Sequence, residues 1–194
     1  MVPVVGRTIY NKMDWTKDKS WVRGQSTEHG RFLDIFSIID PSPKASTREE
    51  QFEHIDFHTV IGTVDVKAIK RMSRGSQLQD EFLWVEFRNT CGRDGWLFGI
   101  QDWCAFETRK GFTLVKTKDL LKLANDLCDT KKFVRTARQA LYKAYQRKHT
   151  DDVISMIRFS DLSKIPHLTI VDPCPLETSA RSEDQVHLDS SVFL

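Results

Sequence analysis

The spacing of apolar residues changes character along this chain of 194 residues. Residues 1–25 follow no clean period. From Ser26 or Thr27, either of which can cap a helix, Phe32, Leu33, Ile35, Phe36 and Ile39 recur at helical spacing. The Pro/Ser stretch DPSPKAST at 40–47 reads as a loop. Strand-like alternation then takes over. It predicts strands at 53–59 and 63–71, joined around Ile61 and Gly62, and a third at 81–89, EFLWVEFRN, beyond the polar SRGSQLQD. After the turn TCGRDG, the segments DWCAFET and GFTLVKT predict two more strands, hinged at Arg109 to Gly111. Helical spacing then returns. Leu120, Leu121, Ala124 and Leu127 predict one helix; Phe133, Ala137, Ala140, Leu141 and Ala144 a second; Val153, Ile154, Met156 and Ile157 a short third.

One helix, about five strands and then helices is the order of an α+β or mixed α/β layer protein. The expected organisation is an N-terminal arm at 1–25, a domain at 26–170 that includes a basic helical part at 131–158, and a mobile tail at 171–194 with little to pack. No internal repeat is present. No window approaches the length of an apolar membrane span, and the first residues carry no charged-then-apolar leader pattern. Cys91, Cys104, Cys128 and Cys174 are scattered without a Cys-x-x-Cys pair, which argues against a zinc ribbon or disulfide framework and fits a soluble protein of a reducing, intracellular compartment.

Net charge is only +2, but the cations are grouped. Every charged residue from Lys131 to His149 is basic, as is every one in KAIKRMSRG at 67–75. Separated basic patches on a near-neutral chain suggest a polyanionic partner, although a single basic run is equally a solvated helix face.

The strand pattern also holds misplaced charges. In TVDVKAI, Val64, Val66 and Ala68 point one way, while Asp65 and Lys67 point the other way together. In HIDFH, Ile55 and Phe57 take the core face and Asp56 the opposite one. If these strands pair, two carboxylates and one ammonium converge. Neighbouring carboxylates repel unless a cation lies between them, and oxygen ligands favour magnesium or manganese. Glu28 falls on the apolar stripe of the first helix, where it is either a third acidic group for the site or a first-turn residue complementing the helix dipole.

A helical Glu, an Asp opening one strand and Asp-x-Lys on the next resemble the PD-(D/E)xK nuclease superfamily, with its restriction-endonuclease-like fold. The elements here are Glu28, Asp56 and Asp65-Val66-Lys67. The resemblance covers roughly 26–116 and is nearest to small Holliday-junction-resolvase-like and phage- or virus-encoded nucleases. Ile55 stands where the signature has its Pro. The resemblance implies a mixed central sheet of about five strands flanked by helices, and a Mg²⁺- or Mn²⁺-dependent nuclease. In it Asp56, Asp65 and the Val66 carbonyl bind the metal, Lys67 activates water and Glu28 supports metal or water.

Asp129-Thr130-Lys131 repeats the triplet but falls between predicted helices with no acidic partner upstream. Glu86 is either a further ligand, if its strand lies beside the Asp-x-Lys strand, or an ion-pair partner of Arg88 or Lys70. Gln101 and Asp102 are weaker polar candidates of the same kind. His54 and His58 flank Asp56 on one strand, but their side chains start about 13 Å apart, too far for one zinc.

Lys70, Arg71 and Arg74 continue the Asp-x-Lys strand within reach of a phosphate, and Arg138, Lys143 and Arg147 populate the basic run. The expected partner is nucleic acid, DNA favoured over RNA, with no membrane; a homodimer would allow double-strand cutting. The competing expectation is a non-catalytic nucleic-acid-binding or assembly protein on the same fold.

Overall fold

The computed structural model describes residues 29–71 and 77–173, Arg71 by its backbone alone. Glu28, Arg74, the arm at 1–25 and the chain beyond 173 lie outside the described residues. Helix α1 occupies 29–36. Then come β1 (Lys44–Ala45), α2 (Arg48–Phe52), β2 (Phe57–Thr59), β3 (Gly62–Lys67), β4 (Lys70–Arg71), β5 (Leu78–Gln79) and β6 (Phe82–Arg88). They are followed by β7 (Trp103–Thr108), β8 (Gly111–Lys116), α3 (Thr117–Leu127), β9 (Asp129–Val134), β10 (Lys143–Tyr145), β11 (Val153–Arg158) and β12 (His167–Val171). The strands form a six-stranded sheet ordered β1-β2-β3-β7-β8-β12, a four-stranded sheet ordered β6-β11-β10-β9, and the ribbon β4-β5. The α+β class therefore holds.

The first sheet is antiparallel except where β3 runs parallel to β7. Each of its faces has its own core. On one, Phe57, Val64, Val66, Ala105, Phe112, Leu114 and Ile170 pack against Phe32, Ile35 and Phe36 of α1. The helical spacing at 32–36 is thus satisfied by this face. On the other, Cys104, Phe106 and Val115 meet Leu120, Leu123 and Ala124 of α3, together with Leu83, Val85 and Ile157 of the second sheet. The two sheets share this second core.

α1 is fastened by a half-buried Arg31. Its Nη1 lies 2.5 Å from Glu107 Oε1 and its Nη2 3.0 Å from Asp172 Oδ2, and it also donates to the carbonyls of Thr108 and Arg109. Strand β12 and Asp172 therefore belong to the packed fold, and of these only Val171 and Asp172 fall where the sequence expects a tail.

The expectation for the chain beyond α3 is corrected. The second and third C-terminal helices are strands. Residues 131–158 form β9, a single 3-10 turn at Ala137–Gln139, β10 and β11. Of the apolar set that suggested the second helix, Ala140 and Ala144 are buried and Phe133 is exposed. A short apolar run satisfies either period. Val153, Ile154 and Ile157 are β-branched, and the run VISMI is buried on both faces between β6 and β10, which is the pattern of a central strand. In addition, β6 does not lie beside the Asp-x-Lys strand. That place is taken by β7, and β6 pairs with β11 in the second sheet.

The triplet Asp129-Thr130-Lys131 is likewise on a strand rather than between helices, at the outer edge of the second sheet with Asp129 and Lys131 exposed.

Candidate active site

β2 and β3 form an antiparallel hairpin with Phe57 opposite Val64. Asp56 precedes the strand yet keeps its ladder, since its N–H donates to the Val64 carbonyl at 2.8 Å. Its side chain takes over the next rung: Oδ2 accepts the Val66 N–H at 2.8 Å. That bond pins the Asp56 carboxylate at the sheet edge, beside Asp65. Alternation puts Val64 and Val66 under α1 and turns Asp65 and Lys67 onto the opposite face, opposite Cys104 and Phe106 of β7. This is the face covered by the second sheet. The charges are therefore buried, not displayed on an open sheet: the Asp65 side chain is 4% exposed and that of Lys67 22%.

Lys67 Nζ lies 2.8 Å from Asp65 Oδ1 and 2.7 Å from Oδ2. Only the first contact is a hydrogen bond; Asp65 Oδ2 is buried and accepts none. Burial raises the Asp65 carboxyl to about 7; Lys67 opposes the shift, and contact with Asp56 adds to it. Lys67 behaves oppositely. Burial alone would lower it, but the Asp65 carboxylate outweighs burial and holds it above its usual value. Asp56 is lowered. Burial works against this, and the His29 contact and the Val66 N–H overcome it. His29 Nε2 stands 3.3 Å from Asp56 Oδ1, so the start of α1 reaches the site.

Further groups close over Lys67. A tight loop after β6 carries Trp96, whose ring centroid is 4.9 Å from Lys67 Nζ. Glu86 accepts the Trp96 backbone N–H, and burial raises its carboxyl while Lys67 and Arg147 pull it down. Glu86 thus reaches the site from the second sheet rather than from a neighbouring strand of the first. Arg147 Nη2 is 3.9 Å from Glu86 Oε1, and its Nε is paired with Asp152, which is fully buried. Gln101 supports the loop from beneath by donating to the Trp96 carbonyl at 2.9 Å.

The remaining candidates separate from this cluster. Asp102 caps the start of β3, accepting from the Thr63 N–H and hydroxyl at 2.9 Å each. Cys104 is an inert thiol, pushed by burial and by the charge of Asp65 to about 12. His54 adopts φ 63 before the strand, and burial followed by the Lys67 charge lowers it to about 4. His58 is paired at 2.9 Å with Glu50 of α2, so the two histidines do not share a site. Among the described residues no group of three or more His, Cys, Asp or Glu side chains is arranged to hold a metal ion; Asp56 and Asp65 make a pair, and Glu28 is not among the described residues.

Lys70 is exposed on the ribbon that continues from β3. Arg138, Lys143 and Arg147 do not line one helix face: they occupy the 3-10 turn, β10 and the segment after it.

His29, Trp96 and Asp152 are not identifiable from sequence. His29 adjoins Glu28, which is the one local hint. Trp96 arrives through a turn, and Asp152 through a pairing made by the tertiary fold. Comparison of the chain with protein-family models, curated proteins and solved structures gives no match. Among the described residues no helix is long and apolar enough to cross a membrane.

Proposed function

We propose that the chain is a metal-dependent nuclease of the PD-(D/E)xK type, hydrolysing phosphodiester bonds with DNA the favoured substrate. The observation that carries this reading is the convergence of Asp56, Asp65 and Lys67, with Lys67 Nζ 2.8 Å from Asp65 Oδ1 and 2.7 Å from its buried Oδ2. A carboxylate oxygen so placed, beside a second carboxylate, suits a hard divalent cation. Asp56 and Asp65 would hold Mg²⁺ or Mn²⁺, with Glu28 and the Val66 carbonyl as the further donors that the resemblance supplies. The metal would contribute Lewis-acid stabilisation of charge on the phosphate and a more acidic bound water.

The protein's own part is positioning. Asp56 is fixed by the Val66 N–H on Oδ2 and by His29, 3.3 Å from Oδ1, so its carboxylate needs no further ordering. Lys67 is fully cationic and held between Asp65 and the Trp96 ring, where it can orient an attacking water and offset charge developing on phosphate. Glu86 is a second carboxylate facing Lys67, which suits a proton acceptor or a water anchor on the side of the second sheet.

The test is cleavage of labelled DNA after chelation, with single metals added back. Mg²⁺ and Mn²⁺ should restore cleavage; Ca²⁺ should support binding with little turnover. Asp65→Asn should abolish cleavage while the fold persists, and Lys67→Ala should collapse turnover with DNA still bound. Full activity in Asp65→Asn, or recovery with zinc alone, would remove the metal assignment.

A further inference from the structure

A cavity lies away from the carboxylates. It lies at the free edge of the second sheet, has a volume of about 570 Å³, and is lined by Phe133, Arg135, Arg138, Gln139 and Lys143 among others. None of its lining residues is acidic. Among the described residues Arg135, Arg138 and Lys143 form no ion pair and no side-chain hydrogen bond, in contrast to Arg31, Arg147 and Arg158, which each meet a carboxylate. Phe133, one of the lining residues, is 53% exposed.

Edge protection explains part of this. Lysines such as Lys131 and Lys132 on an edge strand discourage pairing with a second chain. It does not explain two arginines and a lysine gathered round a cavity with an exposed aromatic ring in its lining. Unpaired cations cost stability through mutual repulsion, and an exposed Phe gains nothing from water. Together they match one ligand chemistry: phosphate for the cations, a flat base for the ring. The cavity is within the size range of sites that hold small organic ligands. An exposed ring can take only a base that is not already stacked in a duplex.

We infer that this pocket binds an unpaired nucleotide of a nucleic-acid strand, with its base stacked on Phe133 and its phosphates held by Arg135, Arg138 and Lys143. The inference rests on the nuclease reading and deepens it, since it gives the substrate a single-stranded portion such as a flap, an overhang or an open junction arm. The route to the site is short. Lys143 begins β10, and Arg147, which faces Glu86 beside Lys67, is only four residues further on, at most about 14 Å of extended chain. A strand seated in the pocket would leave its neighbouring duplex near the carboxylates.

The experiment is fluorescence anisotropy with the full chain in chelator, using a labelled twelve-nucleotide oligo-dT and a blunt duplex of equal length. Chelation prevents cleavage and separates this test from the nuclease reading, whose own failure would appear as cleavage that survives Asp65→Asn. The wild type should prefer the single strand. Phe133→Ala should weaken oligo-dT binding about tenfold, the loss of one base–aromatic stack, with little effect on the duplex. The double variant Arg135→Ala/Arg138→Ala should reduce the slope of log K against log salt by about 1.4, for two phosphates no longer neutralised. All three side chains are exposed, so unfolding midpoints should stay at the wild-type value and certify the fold.

Equal binding of oligo-dT by wild type and Phe133→Ala would overturn the proposal. Competition by dTMP as effective as by the oligomer would also overturn it, by assigning the pocket to a free nucleotide.

Discussion

At the scale of single residues, the site places two titrations in opposition. Asp65 is raised from 3.8 to about 7, by burial first and by Asp56 second. The unfolded chain releases this proton near pH 4 while the fold keeps it, so Asp65 makes stability fall as pH rises from about 4 to 7. His54 is lowered from 6.5 to about 4, by burial and then by Lys67. Here the unfolded chain holds the extra proton, so His54 makes stability rise with pH from about 4 to 6.5. The two slopes oppose each other over nearly the same window. Removing one should expose the other. Asp65→Asn should become more stable, relative to wild type, as pH rises through that window. His54→Asn should become less so, and Asn tolerates the φ of 63 at this position. Urea midpoints at about pH 4.5, 5.5 and 6.5 measure both slopes. Identical pH profiles for wild type and both variants would show that neither group is shifted in the fold.

At the scale of elements, the loop after β6 joins the sheets at the site, and a glycine makes it possible. Gly95 has an ordinary backbone conformation, φ −80, but its N–H donates to the Phe87 carbonyl at 3.1 Å. A Cβ there would stand 2.2 Å from the Glu86 carbonyl oxygen and 2.6 Å from its carbon, and backbone cannot yield as a side chain can. Gly95→Ala should cost about 1–3 kcal/mol. It should also lift Trp96 away from Lys67 and Glu86, so cleavage should drop while DNA binding at the basic pocket persists. Wild-type stability measured by denaturant unfolding would refute the close approach.

This element also marks how far the sequence could be read. Alternation in TVDVKAI separates Val64 and Val66 from Asp65 and Lys67, and the helix at 29–36 and strands β2, β3, β6, β7 and β8 follow from local period, whereas β1 and β5 fall in stretches that read as loops and α2 has no signal of its own. Three things were not legible. The face bearing Asp65 is covered by β6, whose partner β11 lies far along the chain and whose apolar run fits either a strand or a helix. The basic run looked like a helix because alanines spaced by three and four residues suit that period, although Ala137 lies in a 3-10 turn, Ala140 just after it and Ala144 in β10. Glu86 was open between a further ligand and an ion-pair partner, and its approach to Lys67 beside the Trp96 loop follows from no local pattern.

At the scale of the molecule, the two sheets share one hydrophobic core. Leu83 and Val85 of the second sheet share a core with Cys104, Phe106 and Val115 of the first, and α3 closes it with Leu120, Leu123 and Ala124. Ile157, on the central strand β11, is fully buried in that core although it lies beyond the segment that carries the motif. Ile157→Ala removes methylenes from a packed site and should cost about 3 kcal/mol, lowering the melting midpoint by about 6–12 °C for a chain of this size. The site is distant in sequence, but its covering residues Glu86 and Trp96 hang from β6, the direct partner of β11. If the sheets unfold together, native-state hydrogen exchange should show equal loss of protection in β3, β7, β6 and β11, because the slowest amides of all four exchange only by global unfolding. Loss confined to β6 and β11 would mean that the second sheet opens alone. The packing over Asp65 and Lys67 would then be a docking between separable units, and the buried state of Asp65 would follow the stability of the second sheet rather than that of the whole chain.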